Sequence, residues 1–337
     1  MFFLQRCIEI HGDSGGLIVS RSRIAVIGGS GFIGSALIRR LVQSQEPVCN
    51  IDIVAPTQNN NSPFHLVDVR NTGGLIKALE GTEVIYLLAA EHRDDVRPVR
   101  KYYDVNVDGA RAVAQVARRL GIRHIIFTSS VAVYGLNSQN ADESRPPNPF
   151  NDYGRSKLEA EQVLIEWQQE FGAQTLSIVR PAVVFGPGNR GNVYTLLRQM
   201  QSRAFAMIGS GRNRKSMAYV DNVAAFLDFL RGRPEGLHLY NYADKPDLTM
   251  NDLIGATLSL RNGRQPLQVP YSVGLLAGYC FDAVALLRNK PLPISSIRVK
   301  KFCVDTTVDA TRAHNSGFCA EHSLVSGLRA MVQAEFM

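Results

Sequence analysis

The feature that most constrains the fold of this chain is a glycine-rich turn at residues 28–34, within the stretch RIAVIGGSGFIGSALIRRLV. The residues directly before the turn are apolar, which predicts a short buried strand of a parallel sheet. Gly28, Gly31 and Gly34 are spaced by three, and the apolar residues after them recur at helical spacing. A strand, a glycine turn and a helix in this order predict a dinucleotide site, because glycines let the backbone approach a pyrophosphate at a helix N-terminus. The alternative is a tight turn that binds nothing.

Further apolar runs alternate with amphipathic segments as far as about residue 186, which predicts an α/β fold. We therefore predict a Rossmann-type doubly wound parallel sheet over residues 23–186, which holds the cofactor and the catalytic residues. From about residue 187 the alternation loosens, so residues 187–337 are predicted to form a smaller, non-contiguous C-terminal substrate lobe, with some segments returning to the first domain. Residues 1–22 lack the apolar core of a signal peptide and are predicted to be a poorly ordered extension.

Two acidic residues follow the next strands of the predicted sheet. Asp52 lies near the end of the run PVCNIDIV, 18 residues after Gly34. At that position a carboxylate binds the adenosine ribose hydroxyls and disfavours a 2′-phosphate, so the predicted cofactor is NAD rather than NADP. Asp68 lies at the end of the run FHLVD, where it either meets the adenine edge or caps the following helix.

The stretch from TSSVAVYG to YGRSK supplies three residues that fit the oxidation of an alcohol. Tyr153 and Lys157 are four residues apart, which places both side chains on one face of a helix. A tyrosine with its ordinary pKa of about 10 is a poor base, but a nearby ammonium group favours the phenolate. Ser130 is predicted to hydrogen-bond the same substrate hydroxyl, while a nicotinamide accepts the hydride. A Tyr–Lys pair of this spacing also occurs on solvated helix faces, so the interpretation depends on the dinucleotide site.

The motifs GGSGFIG, LLAA, SSVAVYG, YGRSK, RPAVVFGPGN and AYVDNVA occur in this order between about residues 23 and 330. In this combination the chain resembles the extended short-chain dehydrogenase/reductase family, which includes NAD-dependent sugar epimerases and dehydratases. The resemblance implies that Lys157 also hydrogen-bonds the nicotinamide ribose. The full set of cofactor contacts that we predict is Gly28, Gly31, Phe32, Ile33, Gly34, Asp52, Asp68, Val69, Leu88, Ala89, Ala90, Tyr153, Lys157 and Pro181.

Within that family, sugar 4,6-dehydratases carry an acid pair just after the active-site Ser or Thr, where this chain has Val131 and Ala132. The resemblance therefore implies reversible oxidation at C4, as in the 4-epimerases, without net consumption of NAD. The stretches LLAAEHRDDV, GNRGNVY and SSIRVKKFC are similar to epimerases whose N-acetylhexosamine is carried on undecaprenyl diphosphate during bacterial O-antigen synthesis. This implies a lipid-linked amino sugar, presented at the cytoplasmic face of the membrane. The alternatives are a soluble UDP-sugar 4-epimerase or reductase, a hydroxysteroid-type dehydrogenase and a non-catalytic NAD-sensing protein.

Polar and basic residues outside these motifs are the predicted substrate contacts, together with Ser130. Arg93, or its neighbour His92, follows the apolar strand VIYLLAA, at the sheet edge where such folds bind ligands. Asn189 and Arg190 lie in the glycine-rich loop FGPGNRGNVY. Arg212 and Lys215 lie in a turn that suits a phosphate or diphosphate, the alternative being a solvated basic loop.

The position of Lys215 separates two kinds of substrate. By the resemblance, nucleotide-sugar epimerases carry an arginine there that clamps the diphosphate of the nucleotide. A lysine is a point charge and does not make that bidentate contact, which favours the lipid-linked substrate over a uridine diphosphate.

Composition limits the partners and the compartment. The net charge of +7 and the isoelectric point near 9.2 favour an anionic partner. Given the resemblance, that partner is a phosphorylated ligand or a membrane surface rather than nucleic acid. The five cysteines include no CxxC pair, so they are predicted to be reduced thiols in a cytoplasmic protein. The seven histidines form no HxxxH or HxH pair, and no metal site is predicted.

Two segments suggest larger contacts. Residues 271–287 are almost wholly apolar but are fewer than the ~20 residues that a membrane span needs. They predict either a buried helix of the small lobe or a segment lying in the membrane interface. The second interpretation is supported by the basic residues that follow, because these attract anionic lipids: Arg288, Lys290, Arg298, Lys300 and Lys301. The predicted helices 103–120 and 155–171 carry apolar stripes that either pair with a second copy, as a four-helix homodimer interface, or pack on their own sheet.

Overall fold

The structure, a computed structural model, describes residues 23–57, 61–93, 96–136, 139–170, 172–200, 205–258, 266–288 and 295–337. The extension predicted over residues 1–22 lies outside the described residues. The strands are β1 (Arg23–Ile27), β2 (Val48–Asp52), β3 (Phe64–Leu66), β4 (Thr82–Leu87), β5 (His124–Thr128), β6 (Thr175–Pro181), β7 (Val183–Phe185), β8 (Ala206–Ile208), β9 (Arg214–Tyr219), β10 (Gly236–Tyr242), β11 (Asp244–Thr249) and β12 (Leu267–Val269).

The helices are α1 (Phe32–Gln43), α2 (Thr72–Ala78), α3 (Arg100–Leu120), α4 (Asp152–Gln169), α5 (Asn192–Met200), α6 (Val220–Phe229), α7 (Met250–Leu258), α8 (Tyr271–Arg288), α9 (Ser296–Cys303), α10 (Thr311–His314) and α11 (Leu324–Phe336). Short 3₁₀ turns form at Val131–Tyr134 and Leu230–Gly232.

Seven strands of the described chain form one sheet, in the order β10-β6-β5-β4-β1-β2-β3, and every neighbouring pair is parallel. The strand order runs outward in both directions from β1, because β2 and β3 lie on one side of it and β4, β5 and β6 on the other. The prediction of a doubly wound Rossmann-type sheet is confirmed. The crevice where the order reverses, between β1 and β4, is where open α/β sheets bind ligands.

Successive residues of β1 point to opposite faces of the sheet, and both faces are covered, which explains why residues 24–27 are all apolar. Ile24 and Val26 are buried in a core built with α1 and α6. Ala25 and Ile27 are buried in a second core, built with α2, α3 and α4. The central strand is therefore covered by helices on both sides.

The helix that carries the Tyr–Lys pair begins earlier than the predicted residue 155. Its first residue is Asp152, because Asn151 caps it by accepting a hydrogen bond from the amide of Gly154 over 2.9 Å. Tyr153 therefore lies in the first turn of α4 and Lys157 in the second. The third strand is shorter than predicted and ends at Leu66, so Asp68 lies in the loop beyond it.

The smaller lobe is assembled from segments that leave the sheet after β6. Strands β11, β9 and β7 form a three-stranded sheet, and β8 pairs with β12. In between, the chain returns to the large sheet as β10, which pairs with β6 along its whole length, from Gly236 beside Thr175 to Tyr242 beside Pro181. The lobe and the sheet therefore share one continuous backbone network.

Helix α8 is not the buried helix that the first interpretation of residues 271–287 predicts. It packs through glycines: a Cβ on Gly278 would lie 2.8 Å from the backbone of Ser296, and one on Gly274 would lie 2.5 Å from Ile208. Several of the described apolar side chains of α8 are exposed instead, among them Val273 at 54% and Leu276 at 65%. Within the described part of the chain, no helix is both long and apolar enough to cross a membrane.

The apolar stripes of α3 and α4 are buried against the chain's own sheet. Val113 and Ala117 of α3, and Ala160 and Leu164 of α4, are fully buried in the core on their own side of the sheet. Of the two alternatives for these stripes, the structure shows packing on the chain's own sheet. The buried residues are therefore not available to a partner copy.

His124, the first residue of β5, is largely buried, and its Nε2 has no hydrogen-bond partner among the described residues. Burial, with smaller contributions from His238 and Arg231, lowers the pKa of His124 to about 4. In the unfolded chain a histidine titrates near pH 6.5, so the folded protein binds this proton less readily than the unfolded chain does.

We expect the free energy of unfolding to fall as the pH drops from 6.5 toward 4, because the proton taken up by His124 favours the unfolded chain. Between pH 7 and pH 5 this group should lower that free energy by about 2 kcal/mol. Urea unfolding at both pH values measures the effect, and His124→Gln should remove that part of the pH dependence. The same pH dependence in both proteins would contradict this account.

Candidate active site

The carboxyl ends of β1, β2, β4, β5 and β6 surround a cavity of about 640 Å³. The predicted site residues that line it are Gly28, Gly31, Phe32, Ile33, Gly34, Asp52, Asp68, Val69, Leu88, Ala89, Ala90, Ser130, Tyr153, Lys157, Pro181 and Asn189. The structure thus brings the predicted cofactor-binding and catalytic residues around one space. Their contacts with a bound molecule stay predictions.

At Gly28, just after β1, and at Gly34, in the first turn of α1, the backbone leaves no room for a side chain. Gly28 has a φ of 88°, and a Cβ there would lie 2.4 Å from the backbone nitrogen of Ala89. A Cβ on Gly34 would lie 2.2 Å from the carbonyl oxygen of Gly28. Gly31 precedes α1 without a side-chain capping bond, so the first amides of the helix stay open toward the cavity. This cradle fits the pyrophosphate of a dinucleotide, which the positive end of the helix attracts.

Asp52 ends β2 with its carboxylate held by the backbone. One oxygen accepts from the amide of Ser30 over 2.9 Å, and the other accepts from the amide of Val54 over 3.1 Å. The group is therefore oriented at the cavity wall, beside the glycine turn, where the ribose of a dinucleotide is expected.

Asp68 is engaged by a residue that the sequence did not single out. Arg70 donates to both carboxylate oxygens, over 2.9 and 2.6 Å, and it also lines the cavity. These hydrogen bonds lower the pKa of Asp68, so its carboxylate stays charged. Because the two side chains form a bidentate ion pair, this part of the cavity wall carries two paired charges rather than an isolated carboxylate.

Tyr153 and Lys157 line the cavity from α4, one turn apart. The ring of Tyr153 lies against that of Tyr102, with 6.4 Å between the ring centroids. Lys157 is 2% exposed, and its Nζ lies 4.3 Å from the centroid of the Phe127 ring. Burial lowers the pKa of Lys157 to about 7, although the charge of Glu161 opposes that shift.

Ser130 follows β5 and begins the 3₁₀ turn Val131–Tyr134. Its Oγ accepts a hydrogen bond from the amide of Ala132 over 3.1 Å. That bond uses a lone pair and leaves the hydroxyl hydrogen to donate to a substrate oxygen. Val131 and Ala132 therefore sit in a turn that orients the serine and adds no acid or base.

Sequence reasoning missed a buried ion pair close to Tyr153 and Lys157. Arg180 of β6 donates from Nε and Nη2 to the two carboxylate oxygens of Glu161 on α4, over 2.9 and 2.5 Å. Arg180 also donates to the hydroxyl of Tyr134, which in turn donates to Asn241 of β10 over 2.8 Å. The available signals were an arginine inside the apolar strand TLSIVRP and a glutamate one turn beyond Lys157.

Sequence reasoning also missed Asn106 of α3, which is 3% exposed. Its side chain accepts from the amide of Glu91 over 2.8 Å and donates to the carbonyl of Glu91 over 3.1 Å. It also donates to Ser156 Oγ over 2.8 Å, and that hydroxyl donates to the carbonyl of Tyr153. Asn106 therefore ties the loop after β4 to the helix that carries the tyrosine.

Only some of the predicted substrate contacts line this cavity. Asn189 lines the cavity, and its side chain donates to the carbonyl of Val184 over 3.1 Å. His92, the alternative to Arg93, also lines it, whereas Arg93, Arg190, Arg212 and Lys215 do not.

These four basic residues lie elsewhere, near acidic groups, near a backbone carbonyl or in solvent. Arg190 lies 3.8 Å from Glu335 of α11, and Arg93 lies 3.3 Å from Glu91. Lys215 lies in strand β9 rather than in the predicted turn, is half-buried and donates to the carbonyl of Val304 over 2.6 Å. Arg212 lies before that strand and is exposed. Their roles toward a substrate stay predictions.

Comparison with known proteins adds to this geometry. A model of the NAD dependent epimerase/dehydratase family matches residues 24–242. The N-acetyl-alpha-D-glucosaminyl-diphospho-ditrans,octacis-undecaprenol 4-epimerase of Escherichia coli O157:H7 is 46% identical over 319 residues, which covers 93% of this chain and 95% of that relative.

Solved structures of similar fold include two sugar epimerases. The UDP-glucose 4-epimerase of Thermus thermophilus, in complex with NAD, has a TM-score of 0.70 and 21% identity, covering 93% of this chain and 98% of that one. The UDP-N-acetylglucosamine 4-epimerase of Methanobrevibacter ruminantium, in complex with UDP-N-acetylmuramic acid, has a TM-score of 0.72 and 19% identity over the same shares. At these identities the likeness concerns the fold.

Proposed function

Because the chain belongs to the NAD dependent epimerase/dehydratase family, we propose that it is a 4-epimerase that interconverts N-acetylglucosamine and N-acetylgalactosamine on undecaprenyl diphosphate. The observation that carries this proposal is the 46% identity to the undecaprenol-linked 4-epimerase over nearly the whole of both chains. The cavity that Ser130, Tyr153 and Lys157 share supports it independently. Such an enzyme would serve the synthesis of a surface polysaccharide such as the O-antigen.

The cavity has the parts that NAD requires. The cradle between Gly28 and Gly34 would hold the pyrophosphate, Asp52 the adenosine ribose and Lys157 the nicotinamide ribose. When bound, NAD supplies a hydride acceptor and donor beside the sugar carbon.

The residues of this chain would manage the proton and the developing charge. Tyr153, as phenolate, would take the proton of the C4 hydroxyl, and the ammonium of Lys157 would stabilise that phenolate. Ser130 would donate a hydrogen bond to the sugar oxygen as it gains carbonyl character. Once the sugar has turned its other face, Tyr153 would return the proton to the same oxygen. Val131 and Ala132 offer no acid or base for elimination, which limits the reaction to this cycle.

A lipid-linked substrate fits the small lobe better than a nucleotide does. Lys215 cannot provide the forked contact with a diphosphate that an arginine provides, and its Nζ already donates to the carbonyl of Val304. The lobe also presents a large apolar surface, for which a uridine nucleotide has no use.

We expect Tyr153→Phe to lower turnover by about 10²–10⁴-fold, because it removes the hydroxyl that moves the proton and little else. Binding of NAD, measured by calorimetry, should be nearly unchanged. Tyr103→Phe is the matched control, since the Tyr103 hydroxyl donates to Asp152 over 3.0 Å and the residue does not line the cavity. Turnover of Tyr153→Phe within a few-fold of the wild type would refute the assignment of the base.

The substrate is tested by two incubations of purified enzyme. One contains undecaprenyl-diphosphate N-acetylglucosamine in detergent and the other contains UDP-N-acetylglucosamine, and the sugars released by mild acid are identified. We expect N-acetylgalactosamine from the lipid-linked substrate alone, without net reduction of NAD. Product from the UDP-sugar alone would identify a soluble nucleotide-sugar epimerase, and net reduction of NAD with an apolar alcohol would identify a hydroxysteroid-type dehydrogenase.

We also propose that the protein binds the membrane surface through the α8–α9 surface. We define this surface by its exposed apolar residues, Tyr271, Val273, Leu276, Tyr279, Phe281, Val284 and Ile297. Apolar side chains this exposed are unusual for an isolated protein surface and fit the boundary between headgroups and acyl chains.

Charge complementarity makes anionic lipids the preferred partner. Arg298 and Lys300 are exposed beside the apolar residues, and the Lys300 Nζ lies 5.5 Å from the centroid of the Tyr279 ring. The acidic residue of α8, Asp282, accepts a hydrogen bond from the amide of Ser296 at the start of α9. Its charge is therefore balanced by the positive end of that helix.

We expect the enzyme to sediment with anionic phospholipid vesicles at low salt and less with neutral ones. Leu276→Glu should reduce the bound fraction several-fold, because it places a charge among the inserted side chains. The matched control is Leu66→Glu, since Leu66 is 71% exposed on β3, outside the α8–α9 surface, whereas Leu276 is 65% exposed. Equal binding by the two variants, or no binding by the wild type, would contradict the proposal.

A homodimer through α3 and α4 is the last part of the proposed function. Since the apolar stripes pack on their own sheet, the contact would use the outward polar residues of α3, such as Asp108, Arg111 and Gln115. Such a seam would depend on hydrogen bonds and ion pairs between copies rather than on apolar burial.

A further inference from the structure

The ammonium group of Lys157 is almost wholly buried at the cavity wall, where little water reaches its charge. The residue is 2% exposed, and burial lowers the pKa of Lys157 to about 7. The proposed reaction requires the charged form, because the ammonium is what favours the phenolate of Tyr153. At neutral pH, loss of any group that favours the charged form would leave most of Lys157 neutral.

The charged and titratable groups around Lys157 come from two elements. Tyr153 and Glu161 lie one turn before it and one turn after it on α4, and Arg180 of β6 approaches through its bonds to Glu161. Among the described residues, the anion that acts on Lys157 is Glu161, and it raises the pKa of Lys157 against the effect of burial.

Glu161 is fixed by groups from two strands. Arg180 holds both of its carboxylate oxygens, and the hydroxyl of Ser129, which follows β5, donates to Oε1. The side chains of Arg180 and Glu161 are 5% and 2% exposed. The carboxylate therefore cannot turn toward water, and it holds Ser129, the neighbour of Ser130, in place.

We propose that Glu161 is a positioning residue, whose carboxylate keeps Lys157 charged for the proton transfer at Tyr153 and anchors the segment that presents Ser130. Arg180 is the group that holds this carboxylate in place. The inference rests on the proposed oxidation at the sugar hydroxyl but not on which sugar is bound.

A pair with only a structural role would behave differently. A buried ion pair adds little net stability, because desolvation of the two charges offsets their attraction. Removing one partner destabilises the fold in either case, so loss of stability does not test the proposal. The titration of Lys157 does, since a purely structural pair would leave it unchanged.

The experiment follows the titration of Lys157 by NMR in protein that is isotope-labelled at the lysine ε-carbon, without NAD or substrate. Lys157→Met identifies the signal. We expect Glu161→Gln to move the midpoint of the titration down by about one pH unit or more, because the opposite charge is gone. Ser129→Ala, which removes a hydrogen bond but keeps the carboxylate, should leave the midpoint close to that of the wild type.

A second variant keeps the test decisive if Glu161→Gln leaves Arg180 unpaired and fails to fold. The double variant Glu161→Gln/Arg180→Met removes both charges, and its midpoint should also lie below that of the wild type. An unchanged midpoint in whichever variant folds would overturn the proposal. Because no substrate is present, an error in the proposed sugar or its carrier leaves this result unaffected.

Discussion

The parallel pairing of β1 with both β2 and β4 is the constraint on which the rest of the structure depends. It sends every strand of the large sheet in one direction, so that all their carboxyl ends meet at a single edge. Helices cover both faces of the sheet, which makes the strand interiors apolar and leaves that edge as the place for polar groups. The glycine turn, Asp52 and Ser130 reach the edge from three different strands, and α4 brings Tyr153 and Lys157 to it.

The sequence was sufficient for the parts of the site that are local. The glycines at positions 28, 31 and 34 follow an apolar strand directly, and Tyr153 and Lys157 are adjacent turns of one helix, so their placement follows from spacing alone. The family motifs supplied the order of these parts and the confirmed sheet. Asp68 lines the cavity, and its contact with the adenine edge stays a prediction. Its bidentate ion pair with Arg70 depends on a two-residue turn that propensity does not specify.

What the sequence did not reveal depends on long-range packing. Glu161 and Arg180 are 19 residues apart and meet because α4 packs on β6, while Asn106 bridges a loop and a helix 50 residues away. The interpretation of residues 271–287 as a buried helix was wrong for a different reason. Its composition resembles that of a core helix, and only the structure shows the close approach at Gly274 and Gly278 and the exposure of Leu276.

The return of the chain to the sheet as β10 has a consequence for how this architecture can change. Asn241 of β10 donates to the carbonyls of Ala141 and Asp309 and accepts from Tyr134, so one side chain joins the sheet edge to the segment before α4 and to the segment before α10. The lobe is therefore interrupted by a strand of the large sheet and is not a separate module that a single recombination event could exchange. Diversification of such a chain therefore proceeds through the loops and helices outside this joint rather than by replacement of a whole module.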